Sequence, residues 1–237
     1  MVPNVVISVS ALPKTGKNHF AYTAPEPIKV YCFNGGADYV AKKFKDKQID
    51  VHNFVLPIIE AEDEKWALPV WNEFYAEYNK DIQGGKYMTY VLDTGTEVES
   101  FCRQATLEEL QELAEERNRT KKKLATNEYL ARNLRMNALY ARARNSGANL
   151  ISLQYLKDEW IKEKGQERAE PTGRQVMDGW AQTAAQADIN LELTLKDKGG
   201  KPVTSAKIVS NRFDRDLNGT ILEDTTFDEI VTLLIGE

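Results

Sequence analysis

The sequence predicts an α/β protein with a mostly parallel β-sheet, helices on both faces of the sheet and antiparallel strands at its C-terminal end. Over the first two thirds of the chain, short runs rich in β-branched residues alternate with helical stretches, as in sheets built from crossover units. In the last third, Gly199-Gly200 and Asn218-Gly219 are hairpin turn signals. A length of 237 residues favours one domain over two.

The elements follow one another along the chain in a regular order. The predicted strands of the parallel part are 5–9, 28–33, 51–55, 87–93 and 148–154. The helical stretches between them are 37–47, 66–78 and a highly charged segment over 106–144. Residues 157–179 are polar and contain Gly165, Pro171 and Gly173. This composition indicates a long loop, and long loops in compact domains are usually functional or disordered.

The C-terminal part has a different pattern. Residues 187–195 alternate as a half-exposed strand does. Thr226 and Glu229 have the spacing of a capping box before a final amphipathic helix. We therefore divide the single domain, 1–237, into a core and a C-terminal part. The core, 1–186, contains a basic helical segment, 103–147, and the polar loop, 157–179; the remainder, 187–237, holds the hairpins and the last helix.

The composition narrows the possible classes of protein. With 42% hydrophobic and 28% charged residues, the chain has the composition of an ordinary globular protein. No apolar run approaches the ~20 residues of a membrane helix, and the N-terminus lacks the pattern of a secretory signal. Cys32 and Cys102 have no metal-type spacing, and His19 and His52 are too few for a histidine metal site. We expect a cytoplasmic protein without a membrane partner.

Residues 11–18 read A-L-P-K-T-G-K-N, close to the phosphate-binding loop G-x-x-x-x-G-K-[ST]. Gly16 and Lys17 are in register, whereas Ala11 replaces the first glycine and Asn18 replaces the hydroxyl residue. A strand, a loop and a helix start in this order place backbone N–H groups around an anion. The alternative is a plain strand–turn–helix without a ligand. The candidate nucleotide-binding residues are Pro13, Lys14, Thr15, Gly16, Lys17 and Asn18.

Asp93 ends a predicted buried strand, which is where the acid of the second phosphate-site motif, Walker B, belongs. Such a site needs a carboxylate to hold Mg²⁺ and its waters. With Asn18, Asp93 forms the candidate metal-ligand pair. The alternative is an acid that merely ends a strand.

The order of the motifs resembles that of the RecA-like P-loop ATPases, most closely the phage-encoded single-strand-annealing recombination proteins, also called phage AAA-domain ATPases. The segments that carry the resemblance are 11–18, 33–38, 90–93, 149–154, 187–188 and 211–213. The resemblance implies a RecA-like core that binds ATP, Mg²⁺ and single-stranded DNA. It also implies assembly into a ring or filament, a single-stranded-DNA-binding protein as a further partner, and the host cytoplasm as the location of a phage-encoded protein.

The resemblance also implies roles for individual residues. Lys17 would contact phosphates and Asp93 would hold Mg²⁺ through water. Gln154 matches a polar sensor that couples the nucleotide to the following DNA-binding loop, and Arg212, with Lys207, matches basic residues that reach a neighbour's nucleotide. Asp93, Gln154 and Arg212 are therefore the candidate catalytic residues. The alternatives are a polar strand end for Gln154 and a solvated hairpin arginine for Arg212.

Three departures from the family pattern bear on activity. Ala11 adds a methyl group where the loop needs a tight turn, and Asn18 offers Mg²⁺ an amide oxygen. Asn34 stands where the family has a glutamate that activates water, and general-base help is worth ~10²–10⁴-fold in rate. We predict that hydrolysis is slow or absent, and leave open whether Glu97 or Asp38 substitutes for the missing base.

A basic segment is the second functional signal. The residues that would track a phosphate backbone are Arg117, Arg119, Lys121, Lys122, Lys123, Arg132, Arg135 and Arg142. The last three share one face of a predicted helix. Trp160 and Trp180 flank the polar loop and could stack on bases. The alternative is a solvated amphipathic helix.

Three functions compete at this point. The first is a RecA-like protein that binds and anneals single-stranded DNA, with a degenerate nucleotide site. The second is an active ATP-dependent DNA-processing P-loop ATPase, such as a recombinase, motor or loader. The third is a kinase built on the same loop, which leaves the basic segment without a role. Asn18 and Asn34 favour the first.

Overall fold

The computed structural model describes residues 4–57, 65–162 and 168–236. The strands are β1 (Val6–Ala11), β2 (Ile28–Cys32), β3 (Ile49–Asn53), β4 (Thr89–Asp93), β5 (Asn149–Ile161), β6 (Glu170–Met177), β7 (Ile189–Lys198), β8 (Lys201–Asn211) and β9 (Ile221–Glu223). The helices are α1 (Lys17–Ala21), α2 (Ala37–Ala41), α3 (Ala67–Gly84), α4 (Gly95–Glu115), α5 (Tyr129–Ser146), α6 (Thr183–Gln186) and α7 (Phe227–Ile235). In this part of the chain no helix has the length and apolar character to cross a membrane.

The strands form one sheet with the order β3-β2-β4-β5-β1-β7-β8-β9, and β6 pairs with β5 off this path. Neighbouring strands are parallel in the series β3, β2, β4, β5, β1 and β7, whereas β8 and β9 pair antiparallel with their neighbours. At the carboxyl edge, Ala11 of β1 pairs with Tyr155, and Asp93 of β4 pairs with Leu153. The predicted fold class is therefore confirmed, and the phosphate loop and Asp93 lie at the same edge of the sheet.

Two hydrophobic clusters cover the two faces of the sheet. On one face, α1, α2 and α7 pack on the strands, and Phe227, Ile230 and Leu234 of α7 are buried. On the other face, α3, α4 and α5 pack on the strands through side chains that include Phe74 and Phe101. The strands can serve both clusters because successive side chains of a strand point to opposite faces.

The final helix begins as the sequence predicts. The Thr226 side chain accepts a hydrogen bond from the Glu229 N–H, and the Glu229 carboxylate accepts one from the Thr226 N–H. The capping box therefore satisfies two N–H groups that have no partner within the helix, and the prediction of this helix is confirmed.

The prediction of a long loop over 157–179 is wrong. β5 continues past the sheet to Ile161 and pairs antiparallel with β6, so that Leu156 opposes Met177 and Trp160 opposes Pro171. Gly165 lies outside the described residues. This two-stranded ribbon (residues 156–161 and 170–177) is mostly exposed, so its side chains need not alternate between apolar and polar as those of a half-buried strand do.

The prediction of one helical segment over 103–147 is also wrong. α4 ends at Glu115 and α5 begins at Tyr129, and Asn118 between them has a left-handed φ of 54°. Asparagine adopts this conformation more readily than most residues, and the Arg119 N–H returns to the Ala114 carbonyl. The helix predicted over 37–47 is similarly shorter, because α2 ends at Ala41.

Candidate nucleotide-binding site

The phosphate loop connects the end of β1 to the start of α1. Gly16 has a φ of 98°, a conformation that side chains disfavour. Ala11 is still part of β1, where it pairs with Tyr155 and Leu193, and it is fully buried. Because Ala11 is in a strand, its methyl group packs into the core, and the mild defect expected at this position does not arise.

Lys17 is buried at the base of the loop. Its Nζ donates to the carbonyl oxygens of Ala11 and Leu12, both at 3.2 Å, and lies 4.5 Å from the centre of the Tyr155 ring. Burial lowers the pKa of Lys17, although the negative charges of Asp93 and Glu97 oppose this. The cation is therefore held beside the strand ends by carbonyls and a π-face.

Asp93 is 3% exposed and directly contacts the loop. The Asn18 amide Nδ2 donates to its Oδ2 at 2.8 Å. Burial raises the pKa of Asp93 to about 6, while the hydrogen bond from Asn18 and the charge of Lys17 oppose the rise. The two predicted metal ligands are thus brought together, but as a hydrogen-bonded pair.

In this arrangement the Asp93 oxygen that faces the loop has no room for a directly bound ion. Mg²⁺ takes oxygen ligands in near-octahedral geometry, whereas Asp93 Oδ2 is occupied by the Asn18 N–H₂ group. The nearby Thr94 hydroxyl and Glu97 carboxylate lie 3.0 Å apart within the capping box of α4. Among the described residues, no group of three or more His, Cys, Asp or Glu side chains could hold a metal ion.

Asn34, in the position of the missing glutamate, follows β2 at the same edge. Its Nδ2 donates to the Tyr155 hydroxyl at 2.9 Å. Tyr155 lines the cavity and covers Lys17, a role that sequence reasoning missed. The available signal was its position directly after Gln154. Since adjacent strand residues point to opposite faces, one of the two had to point away from the side chain of the other, and Tyr155 is the one that lines the cavity.

The two acids considered as substitute bases already accept hydrogen bonds from other residues. The Glu97 carboxylate accepts hydrogen bonds from the Thr94 N–H and hydroxyl, at 3.2 and 3.0 Å. Asp38 accepts one from Asn53 at 2.6 Å. Within the described residues, the carboxylates that line the cavity are Asp93 and Asp224.

Gln154 is fully buried beside the cavity and does not line it. Its Nε2 donates to Ser152 at 2.8 Å, and the Thr96 hydroxyl lies 3.1 Å from its Oε1. Thr96 also contacts the Asp178 carbonyl at 2.8 Å, at the end of the ribbon. A Cβ on Gly179 would lie 2.7 Å from Gln154 Oε1, so the ribbon closes tightly on this side chain.

Arg212 lies at the opposite edge of the sheet. Its guanidinium Nη1 is 2.9 Å from Asp188, whose carboxylate also accepts from the N–H of Val6 at the start of β1. The phosphate loop follows the other end of β1, so Arg212 is remote from the nucleotide cavity of its own chain.

A cavity of about 950 Å³ extends from the phosphate loop along the sheet edge. Lys17, Asn18, Asp93, Asn34 and Tyr155 line it with polar groups. Apolar side chains also line it, among them Phe20, Val40, Phe44, Leu193, Leu195 and Pro202. A cavity of this size, lined by both apolar and polar side chains, is typical of a ligand site.

The candidate DNA-binding residues fall into two groups. Arg117, Arg119, Lys122 and Lys123 are exposed in the connection between α4 and α5, whereas Lys121 pairs with Glu128 at 2.7 Å. Arg132, Arg135 and Arg142 do share one face, but it packs against the neighbouring helices α3 and α4. Arg132 and Arg135 pair with Glu99 and Glu109, and Arg142 contacts Asn79 and the Tyr75 ring.

The two tryptophans that flank the ribbon differ in exposure. Trp160 is 61% exposed on β5, as a stacking residue requires. Trp180 is 1% exposed and donates from Nε1 to Asn133 at 3.0 Å. The hypothesis that Trp180 stacks on bases is wrong, because its ring belongs to the core.

Comparison with solved structures supports the fold. A KaiC-like protein from the hyperthermophilic archaeon Pyrococcus horikoshii OT3 matches with a TM-score of 0.50 and 12% identity, over 93% of this chain and 84% of that chain. This likeness shows a RecA-like fold. The model of an AAA-domain family matches residues 4–208, and the chain belongs to that family. A comparison with curated proteins found no match.

Proposed function

We propose that this protein binds a nucleoside triphosphate, binds and anneals single-stranded DNA as a phage-type recombination protein, and hydrolyses ATP slowly or not at all. The observation that carries the proposal is the direct connection between the cavity and the exposed ribbon. Tyr155 lines the cavity, and its N–H donates to Thr96, which also contacts Asp178 on the opposite strand at the same end of the ribbon. A ligand that moves Tyr155 would therefore act on the strand that carries Trp160.

Slow hydrolysis is supported by what surrounds Asp93. Asn34 cannot accept a proton from water, and its amide is bound to Tyr155 at 2.9 Å. The loss of a general base costs ~10²–10⁴-fold in rate. Nucleotide binding does not require a general base, since it depends on Lys17, the phosphate loop and the apolar side chains of the cavity.

Two exposed surfaces support DNA binding. The ribbon offers Trp160, and base–aromatic stacking is worth about 1–3 kcal/mol per base. The connection between α4 and α5 offers Arg117, Arg119, Lys122 and Lys123, which provide sequence-independent affinity that weakens with salt. The part of the DNA prediction that involves Arg132, Arg135 and Arg142 would require their contacts with α3 and α4 to open.

The position of Arg212 favours assembly. Since it lies at the sheet edge opposite the phosphate loop, it can reach a nucleotide only in another copy of the chain. Repeated head-to-tail contacts of this kind produce rings or filaments.

Two titrations test the proposal. In the first, a fluorescent ATP analogue is titrated into the protein and into Lys17→Ala, with and without single-stranded DNA. We expect saturable binding that Lys17→Ala abolishes and that DNA alters. Rapid ATP hydrolysis abolished by Lys17→Ala would instead favour the active ATPase.

The second titration measures single-stranded DNA affinity against salt. Replacement of Lys122 and Lys123 by alanine should make the log–log slope shallower by up to about 1.4, since each phosphate contact contributes roughly 0.7. Trp160→Ala should lower affinity and leave the slope nearly unchanged. The matched control replaces Lys80 and Arg103, which are exposed elsewhere. Equal losses in the control, or no binding by the parent protein at low salt, would exclude these surfaces.

A further inference from the structure

The Asp93 carboxylate has an N–H donor where the phosphate-loop motif would place a metal ligand. An ionised carboxylate only accepts hydrogen bonds, and an amide presents donors at its nitrogen alone. The contact of 2.8 Å between Asn18 Nδ2 and Asp93 Oδ2 therefore has the polarity that the chemistry requires. Both groups are in the wall of the cavity.

In the motif, the residue after the lysine is Ser or Thr, and its hydroxyl oxygen binds Mg²⁺. Here an ion beside Asp93 would face the hydrogens of the Asn18 amide. An ion bound directly by Asp93 Oδ2 would have to displace the Asn18 N–H₂ group, and the buried Asp93 would then lose this donor. Thr94 and Glu97, the nearby oxygen groups, already bind each other in the helix cap.

Two hydrogen-bond donors at the site, the Asn18 amide and the Lys17 ammonium, do not depend on a metal. Asn18 places a partial positive charge directly against Asp93. A lysine ammonium has three donors, and the carbonyls of Ala11 and Leu12 accept two from Lys17. One N–H of Lys17 is thus left for a phosphate oxygen.

We propose that the cavity binds its nucleoside triphosphate without Mg²⁺, with the Asn18 amide in the position of the ion and Lys17 as the phosphate-binding cation. This inference rests on the proposed nucleotide-binding function. It assigns Asn18 a defined role, that of a built-in substitute for the metal, and makes the site insensitive to chelators.

The test compares the affinity for a fluorescent ATP analogue in Mg²⁺ with that in EDTA, for three forms of the protein. The parent protein should bind equally well in both buffers. Asn18→Thr restores the hydroxyl oxygen and frees Asp93, so its binding should weaken in EDTA by about tenfold or more, the size of effect common for groups that support a metal. Asn72→Thr, at an exposed position of α3, is the matched control and should behave as the parent does.

The outcomes separate this inference from the proposed function. If the parent loses affinity in EDTA, the inference is wrong while nucleotide binding stands. If the parent binds in neither buffer, both fail. Electron paramagnetic resonance with Mn²⁺ as the probe gives a second readout: the nucleotide complex of the parent should hold no Mn²⁺, and a bound Mn²⁺ signal would overturn the inference even if Asn18→Thr does not fold.

Discussion

At the scale of single residues, the buried charge of Asp93 sets the energetics of the site. Its side chain is 3% exposed, and one hydrogen bond from Asn18 joins it to the phosphate loop. A carboxylate in such a place is costly to ionise unless it is paired. The free-energy cost of ionising Asp93 is therefore offset when a positive group comes close to it.

The first prediction concerns this cost. Burial raises the pKa of Asp93 from the ordinary value of 3.8 to about 6, so its contribution to stability is present below about pH 4 and is lost as the pH rises to about 6. One pKa unit corresponds to about 1.4 kcal/mol. Asp93→Asn should therefore raise the free energy of unfolding at pH 8 by up to roughly 3 kcal/mol and change it little at pH 4. Urea unfolding at both pH values measures this; a destabilised variant at pH 8 would contradict it.

The second prediction concerns Asn34. Asn34→Glu places a proton acceptor where the family has its base, and the Tyr155 hydroxyl can then donate to the new carboxylate. Steady-state ATP hydrolysis should rise, by at most ~10²–10⁴-fold. Asn34→Gln, which has the same length but no basic group, is the control. Equal rates for the two variants would mean that Asn34 does not occupy the position of the base.

At the scale of elements, the buried strands were predictable and the exposed ribbon was not. β1 and β4 were found because strands buried on both faces read as continuous apolar runs. The ribbon was missed because exposed strands leave no such pattern. The role of Tyr155, at the start of the ribbon, was missed for the same reason. The break between α4 and α5 depends on one left-handed residue, Asn118. It was not predicted because the residues on both sides of Asn118 have a composition typical of a helix.

The third prediction concerns how β2, β3 and α3 are held together. Lys29 of β2 is buried, and its Nζ lies 3.4 Å from Asp50 of β3 and 3.6 Å from both Glu77 and Asp81 of α3. Lys29→Met would leave these carboxylates without their shared cation, and because Glu77 and Asp81 are only partly exposed, the loss of this partner should cost roughly 1–3 kcal/mol. Chemical denaturation should detect this loss. Lys45→Met, at an exposed position between α2 and β3, is the control, and an equal effect of both changes would show that the cluster does not stabilise the fold.

At the scale of the whole molecule, the parallel sheet places the cavity and Arg212 at opposite edges. The cavity is at the carboxyl edge, and Arg212 is at the amino edge, bound to Asp188. The sequence indicated the first edge, since the carboxyl ends of parallel strands meet there. It could not indicate that Arg212 lies at the opposite edge, because that depends on β7 running parallel to β1, so that β8 returns to the amino edge.

The last prediction follows from this separation. If Arg212 of one copy acts on the cavity of the next, Arg212→Ala and Lys17→Ala should each weaken binding of the ATP analogue in the assembled protein. A mixture of the two variants should recover part of the binding, because some contacts then join an intact Lys17 to an intact Arg212. Binding by Arg212→Ala equal to that of the parent, or no recovery in the mixture, would contradict this arrangement. Circular dichroism must accompany the titration, since Asp188 also binds the N–H of Val6 and the loss of its partner could disturb the start of β1.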